Sequence, residues 1–244
     1  MRSLLVLWDI DFTLVNAGGV GTHLYRIVFW DMFGVQLPGP TDMAGRTDRA
    51  IVLDTMARAG IPEPRRHLDQ FLARLADLAP AGRELAARDA RALPGAAAAL
   101  AALAAYAAPG DAAPPGRSVS VVQSVLTGNV RPMAEMKLGA LGLDAHLDLD
   151  AGAYGESHEI RSELVHLARD NAARRYSTDF AGTATVLVGD TPLDVAAALE
   201  TGARAVAVAT GGTPAARLAE SGAHAVLPDL TDTPAVVSAI LGGP

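Results

Sequence analysis

Four short apolar runs constrain the fold of this chain more than any other feature of its sequence. They are rich in leucine, valine or alanine and cover residues 4–8, 119–125, 185–188 and 205–208. Runs of this kind predict strands that are buried on both faces, as in a parallel sheet covered by helices. Because helical patterns separate the runs, we predict an α/β fold with a doubly wound, Rossmann-like, mostly parallel sheet. A further short strand is predicted around Leu147.

The segment 16–92 breaks this alternation, since it contains helical patterns and turns but no convincing strand. We therefore predict an inserted all-α cap domain over 16–92 and a core domain formed by 1–15 and 93–244. The chain also contains an alanine-rich stretch that predicts a helix and a Pro/Gly-rich stretch that predicts a loop. Helices are predicted over 22–33, 48–59, 66–78 and 96–106, and the loop over 109–117.

Composition narrows the class of protein. The net charge is −7 and there is no cysteine, which excludes disulfides and thiolate metal sites and offers no basic surface for nucleic acid. The longest uncharged apolar run, 96–108, is shorter than the roughly 20 residues of a membrane helix. These features indicate a soluble, cytoplasmic protein that binds neither nucleic acid nor membranes. The sequence leaves open whether it is a monomer or a homodimer. The two tryptophans, Trp8 and Trp30, are predicted to anchor the core.

Polar residues follow three of the apolar runs, at the strand ends where open parallel sheets bind ligands. Asp9 and Asp11 follow the first run, Thr127 the second, and Asp190 and Asp194 the third. The first pair alone could equally be an ordinary turn after a strand. However, several carboxylates at one sheet edge repel each other unless a hard cation lies between them. Oxygen ligands without a histidine or cysteine cluster favour Mg²⁺.

These residues resemble the motifs of the haloacid dehalogenase (HAD) superfamily of phosphohydrolases, in the same order and strand context. The three motifs are DIDFTLV at 9–15, LTGN at 126–129 and VGDTPLDV at 188–195. The segment 16–92 falls where that superfamily inserts its helical, C1-type cap. Other segments resemble phosphoglycolate-phosphatase-like members, namely AGRTD at 44–48, TGGTP at 210–214 and PDL at 228–230.

The resemblance implies a role for each strand-end residue. Asp9 is the expected nucleophile that forms an aspartyl-phosphate, and Asp11 is the expected general acid and base. Thr127 and nearby backbone N–H groups are expected to hold the phosphoryl oxygens. Mg²⁺ is expected to bind Asp9, Asp190 and the carbonyl of Asp11, with Asp194 supporting the site or serving as a helix-start carboxylate.

The sequence departs from the superfamily at two points. Phe12 stands where glycine is common, beside the nucleophile. The third motif normally supplies a lysine that pairs with the nucleophile, but the chain's only lysine is Lys137, for which a surface or structural role is predicted. Arg161 is the best substitute and His158 the second choice. The alternative for Arg161 is a solvated residue at the start of a helix.

The predicted substrate site consists of Phe12, Gly128, Asn129 and Arg46. Arg46 could reach a substrate carboxylate or phosphate, or pair locally with Asp42 or Asp48. The absence of a lysine from the cap excludes the phosphonate-cleaving relatives, and the presence of Asp11 argues against a dehalogenase. The hypothesis is Mg²⁺-dependent hydrolysis of a small phosphate monoester, with phosphoglycolate or a similar acid or sugar phosphate as substrate. The alternatives are a phosphosugar mutase and a non-catalytic regulatory domain.

Overall fold

A computed structural model describes residues 2–39, 43–106 and 119–242. Its strands in chain order are β1 (Arg2–Trp8), β2 (Val15–Asn16), β3 (Arg91–Ala92), β4 (Val119–Val125), β5 (Thr185–Gly189), β6 (Arg204–Val208) and β7 (Ala225–Leu227). The α-helices are α1 (Val20–Phe33), α2 (Asp48–Arg58), α3 (Pro64–Asp77), α4 (Ala79–Asp89), α5 (Ala96–Ala104), α6 (Arg131–Ala140), α7 (Arg161–Tyr176), α8 (Pro192–Glu200), α9 (Ala215–Glu220) and α10 (Thr233–Leu241).

The central sheet has five parallel strands in the order β4-β1-β5-β6-β7. The chain leaves β1, returns through β4 on one side of it and through β5 on the other, so the strand order reverses at β1. The prediction of a doubly wound parallel sheet is therefore confirmed. The four predicted strands correspond to β1, β4, β5 and β6. The edge strand β7 was not predicted, because it has only three residues and all of them are half-buried.

Alternate residues of β1 face two separate apolar cores, as the two-residue period of a strand requires. Leu4, Val6 and Trp8 belong to the core that includes α5, α10 and the apolar faces of the inserted helices. Leu5 and Leu7 belong to the core built with α7 and α8. Burial on both faces explains why the strand reads as a continuous apolar run.

A helical insertion lies between β1 and β4, as predicted. Its helices α1, α2 and α3 lie within two residues of the predicted bounds, as does the core helix α5. The insertion also begins and ends in the short antiparallel pair β2–β3, so the expectation of no strand was wrong at its base. The exact division into domains at 16–92 stays a prediction.

The helix α4 was not among the predicted helices, and it contains Pro80 and Gly82, two residue types that are unfavourable inside helices. Pro80 lies in the first turn, where a helix needs no N–H from it. Gly82 lies where a Cβ atom would come within 2.9 Å of the Leu24 side chain, so its small size allows α4 to pack closely against α1.

Two other sequence predictions were wrong. No strand forms around Leu147, because the next residue, Asp148, caps a short 3-10 turn and accepts hydrogen bonds from Arg175 and Tyr176. Trp30 does not anchor the core and is 61% exposed, whereas Trp8 is fully buried. The predicted loop over 109–117 lies outside the described residues. No α-helix in the described ranges is both long and apolar enough to cross a bilayer.

Candidate active site

The polar ends of β1, β4 and β5 meet at one edge of the sheet, beneath the helical insertion. Asp9, Thr127 and Asp190 follow these strands and line a cavity of about 400 Å³. The facing wall comes from the insertion, with Tyr25 and Arg46 among its residues. The predicted convergence of the motifs is therefore what the fold produces.

Three buried carboxylates form a compact group in this cavity wall. Asp9, Asp190 and Asp194 each present an oxygen such that all three atoms lie within 4.8 Å of one another. Asp194 has a second role at the start of α8, where it forms a capping box with Thr191. The side chain of Asp11 is not part of this group. If Asp11 takes part in metal binding here, it does so through its backbone carbonyl.

Arg161 lies directly against the carboxylate group. Its Nη2 is 2.8 Å from Asp9 Oδ1 and 2.6 Å from Asp194 Oδ1, and its Nη1 donates to the carbonyl of Gly45. Only 7% of the residue is exposed, so the alternative of a solvated helix-start residue was wrong. His158 instead accepts a hydrogen bond from the backbone N–H of Ile160. An arginine therefore lies beside Asp9, and its role as the third-motif cation stays a prediction.

One guanidinium does not balance three buried carboxylates. Burial is the largest cause that raises the pKa of Asp9 well above its usual range, and repulsion from Asp194 and Asp190 adds to it although Arg161 opposes both. Burial and repulsion from Asp194 raise the pKa of Asp190 to about 7. Asp194 Oδ1 lies close to Arg161 but has no hydrogen-bond partner. An oxygen-only donor set with excess negative charge and an unsatisfied carboxylate oxygen fits a hard divalent cation.

The raised pKa values predict how metal-free stability varies with pH. A carboxyl group whose pKa is higher in the folded state binds a proton there that the unfolded state has already released. Its contribution is therefore present at low pH and is lost as the pH rises through about 7 for Asp190. In EDTA, we expect the free energy of unfolding to fall by about 1 kcal/mol from pH 6 to pH 8 on account of this group. Chemical denaturation at the two pH values measures the change.

An Asp190→Asn variant is the control for this experiment, since it should show a smaller loss over the same interval. Added Mg²⁺ should stabilise the wild-type protein more at pH 8 than at pH 6, because it competes with protons for the same oxygens. An identical pH response in the variant would contradict the assignment of this titration to Asp190.

Asp11 belongs to a second polar network beside the carboxylate group. Lys137 Nζ lies 2.8 and 2.7 Å from the two carboxylate oxygens of Asp11 and 2.7 Å from Asn129 Oδ1. Asn129 Nδ2 donates to Asp11 Oδ2 and to Thr127 Oγ1, both at 2.7 Å. The predicted surface role of Lys137 was wrong, since the residue is buried and lines the cavity. The sequence did offer a signal that Lys137 lies near the site, because its helix α6 begins just after the second motif.

Phe12 adopts a backbone conformation that suits glycine. Its φ is +60°, in the left-handed region, and its side chain lines the cavity while 46% of the residue is exposed. The N–H of Phe12 donates to the carbonyl of Val15, and the carbonyl of Phe12 accepts from Thr210 Oγ1. These bonds hold the turn that follows the nucleophile, and the positive φ is the reason that a residue without a Cβ is favoured at this position.

The insertion contacts the second motif directly. A Cβ atom on Gly128 would lie 1.9 Å from the carbonyl oxygen of Arg46, so only glycine allows this approach. Asp48 N–H donates to the carbonyl of Gly128, and Asp48 Oδ2 accepts from the N–H of Val130 at 2.8 Å. The other oxygen of Asp48 accepts from the hydroxyl of Tyr25 at 2.5 Å. Sequence reasoning did not identify Asp48 as this link between the insertion and the core.

Arg46 lines the cavity and also makes local contacts. Its Nη1 is 3.5 Å from Asp54 Oδ2, and its Nη2 donates to the carbonyl of Ala50. A local partner was predicted, but the structure shows Asp54 in that role, and Asp42 lies outside the described residues. With 27% of its side chain exposed, Arg46 remains within reach of a ligand in the cavity.

The sheet, the inserted helices and the strand-end carboxylates define an α/β protein with a helical insertion over one edge of its sheet. Residues 163–233 match a family model described as HAD-hydrolase-like. A search of curated protein sequences gives no significant match. The family-model match covers the part of the chain from α7 to the start of α10, and it indicates that this part is similar to that family.

Several solved structures superpose on almost the whole chain. A predicted phosphatase from Clostridium acetobutylicum has a TM-score of 0.66 at 14% identity, over 96% of this chain and 98% of that one. A predicted phosphoglycolate phosphatase from Haemophilus somnus has a TM-score of 0.59 at 19% identity, over 97% and 99%. A haloacid dehalogenase-like family protein from Streptococcus pneumoniae has a TM-score of 0.62 at 16% identity, over 97% and 99%. At these identities the likeness establishes the fold.

Proposed function

We propose that this protein is a Mg²⁺-dependent phosphatase that hydrolyses a small phosphate monoester through an aspartyl-phosphate on Asp9. The observation that carries the proposal is the position of Asp9 at the end of β1. Its carboxylate contacts the guanidinium of Arg161 and lies beside two further buried carboxylates, with Asp11 two residues along the chain. In this proposal the cap over 16–92 covers a core formed by 1–15 and 93–244.

In the first chemical step, a carboxylate oxygen of Asp9 forms a bond to phosphorus while the bond from phosphorus to the leaving oxygen breaks. Arg161 holds Asp9 in place and stabilises negative charge on the phosphoryl group. The hydroxyl of Thr127, buried at the end of β4, is available to a phosphoryl oxygen. Asp11 gives a proton to the leaving alcohol, which departs neutral.

In the second step, Asp11 accepts a proton from water, and the water oxygen attacks phosphorus. The bond between Asp9 and phosphorus then breaks, which releases inorganic phosphate, restores the Asp9 carboxylate and leaves Asp11 protonated for the next cycle. The cap contributes by keeping bulk water away from the cavity, since Gly45, Arg46 and Asp48 pack against the core loops.

The residues that would hold Mg²⁺ are Asp9, Asp190 and the carbonyl of Asp11, with Asp194 behind them. When bound, the cation supplies positive charge that offsets the repulsion between a carboxylate nucleophile and a phosphate dianion.

The proposed substrates are small acid or sugar phosphates, with phosphoglycolate tested first. The cavity of about 400 Å³ suits a compact metabolite, and the guanidinium of Arg46 on its cap side suits a second anionic group. The structural likeness to a predicted phosphoglycolate phosphatase supports this choice. Phe12, Gly128 and Asn129 complete the proposed substrate contacts.

A screen of phosphorylated metabolites with and without Mg²⁺ tests the proposal. We expect release of inorganic phosphate with Mg²⁺, and release reduced to background when EDTA is present. Phosphoglycolate, several sugar phosphates and p-nitrophenyl phosphate form the minimum panel. Isomerisation of a sugar phosphate without net phosphate release would favour the mutase. The absence of both reactions across the panel would favour a non-catalytic role.

A further inference from the structure

We propose that Lys137 is a positioning residue that holds the Asp11 carboxylate at the leaving-group side of the cavity. The inference rests on the proposed phosphatase function, in which Asp11 transfers the proton. It concerns the chain's single lysine, which has no counterpart among the three motifs that match the superfamily.

The geometry around Lys137 leaves no donor unused. An ammonium has three N–H donors, and three acceptors lie within 2.8 Å of Nζ, namely both oxygens of Asp11 and the Oδ1 of Asn129. Because the ammonium can only donate, it also determines that the amide oxygen of Asn129 faces Lys137. The amide nitrogen must then face Asp11 Oδ2 and Thr127 Oγ1, as it does. One cation thereby orients two predicted site residues and contacts neither Asp9 nor Asp190 within hydrogen-bond distance.

Lys137 and Asp11 differ in how firmly their surroundings hold them. The Lys137 side chain is 4% exposed and extends from the second turn of α6, which packs against the cap helices α3 and α4. Asp11 follows the end of β1, precedes the left-handed Phe12 and has a side chain that is 34% exposed. A rigid cation that contacts both oxygens of a more exposed carboxylate limits the rotation of that carboxylate about its side-chain bonds.

Stability alone does not account for this pair. Removing an ammonium and a carboxylate from water costs free energy that their attraction offsets only in part, and apolar residues of similar volume often serve as well. Arg161 serves a different pair of carboxylates, Asp9 and Asp194. Lys137 and Arg161 therefore hold separate carboxylates, of which Asp11 and Asp9 line the same cavity.

The test compares substrates that differ only in their need for a proton. An alkyl alcohol leaves poorly unless it is protonated, whereas p-nitrophenol leaves readily as an anion. We expect Lys137→Met to lower kcat/KM for an alkyl phosphate by roughly tenfold to a hundredfold, the range for a mispositioned acid. The loss for p-nitrophenyl phosphate should be about threefold or less. Since kcat/KM covers events through formation of the aspartyl-phosphate, the later hydrolysis does not affect the comparison.

Two variants complete this experiment. Lys137→Arg retains a cation and should recover part of the loss seen with the alkyl phosphate. Glu135 lies on the same helix and pairs with Arg131. The variant Glu135→Gln should therefore leave kcat/KM unchanged for both substrates. Equal losses for both substrates in Lys137→Met would assign Lys137 a structural role, and unchanged kinetics would remove any role. A wild-type protein inactive on every phosphate would instead refute the proposed function.

A second measurement examines the pair without relying on activity. Because the chain has one lysine, acetylation of its side chain by an amine reagent can be followed at a single site by peptide mass spectrometry. We expect Asp11→Asn to accelerate acetylation of Lys137 several-fold, since it removes the charge that holds the ammonium. Equal rates in wild type and variant would show that the pair does not form in solution and would overturn the inference.

Discussion

Asp9→Asn is expected to lower Mg²⁺-dependent hydrolysis of p-nitrophenyl phosphate by about a thousandfold or more, the scale seen when a covalent nucleophile is removed. An amide cannot form the aspartyl-phosphate, and a poorer metal ligand replaces one of the three carboxylates. The protein should remain folded, because the substitution preserves shape and removes one negative charge from a buried, mutually repelling group. Initial rates and a thermal unfolding curve are the two measurements.

The matched control is Asp170→Asn, which makes the same chemical change at an exposed position of α7. It should leave both the rate and the unfolding temperature unchanged. Full activity in Asp9→Asn would end the assignment of Asp9 as the nucleophile. An inactive variant that is also unfolded would contradict the expectation that removing one charge from this mutually repelling group leaves the fold intact.

The second large effect is expected from Arg161→Met. The guanidinium is the cation closest to Asp9 and Asp194, so its removal leaves buried carboxylates without a compensating charge. Breaking a buried ion pair from one side costs about 3–5 kcal/mol of folding free energy. We expect a loss of this size in EDTA, measured by chemical denaturation, together with loss of activity.

Mg²⁺ should restore part of the stability of Arg161→Met, because the cation supplies charge to the same oxygens. Activity should not return, since the phosphoryl group still lacks its guanidinium. Arg174→Met, at an exposed position of the same helix, is the control and should change stability by less than about 1 kcal/mol. If Arg161→Met proved as stable as wild type in EDTA, the electrostatic description of the carboxylate group would be wrong.

The core fold could be predicted because its signals are local. Apolar runs in the sequence predict the strands β1, β4, β5 and β6. Because ligands bind at the strand ends of parallel sheets, Asp9, Thr127 and Asp190 could then be predicted to lie together. Arg161 could be proposed because the superfamily needs a cation there and no lysine lies nearby in the sequence. In each case, short-range pattern or known chemistry restricted the choice to a few residues.

The errors have a different origin, because each depends on contacts between distant segments. Trp30 was expected inside on hydrophobicity alone, yet it lies on the outer face of α1. The helix α4 contains Pro80 and Gly82, which break helices on average and are accommodated here by a first-turn position and a close contact with Leu24. Propensity scales average over such environments and therefore could not anticipate them.

The sequence by itself determined the positions of the strands β1, β4, β5 and β6 along the chain, the insertion after β1 and the chemistry available at the strand ends. These follow from periodicity, turn residues and the types of side chain that can bind a phosphate or a metal. The tertiary structure alone decided that Lys137 contacts Asp11 and that Asp48 joins the cap to the second motif. A side-chain partner more than a hundred residues away, as Asp11 is from Lys137, is chosen by how helices pack on the sheet, and no local pattern records that packing.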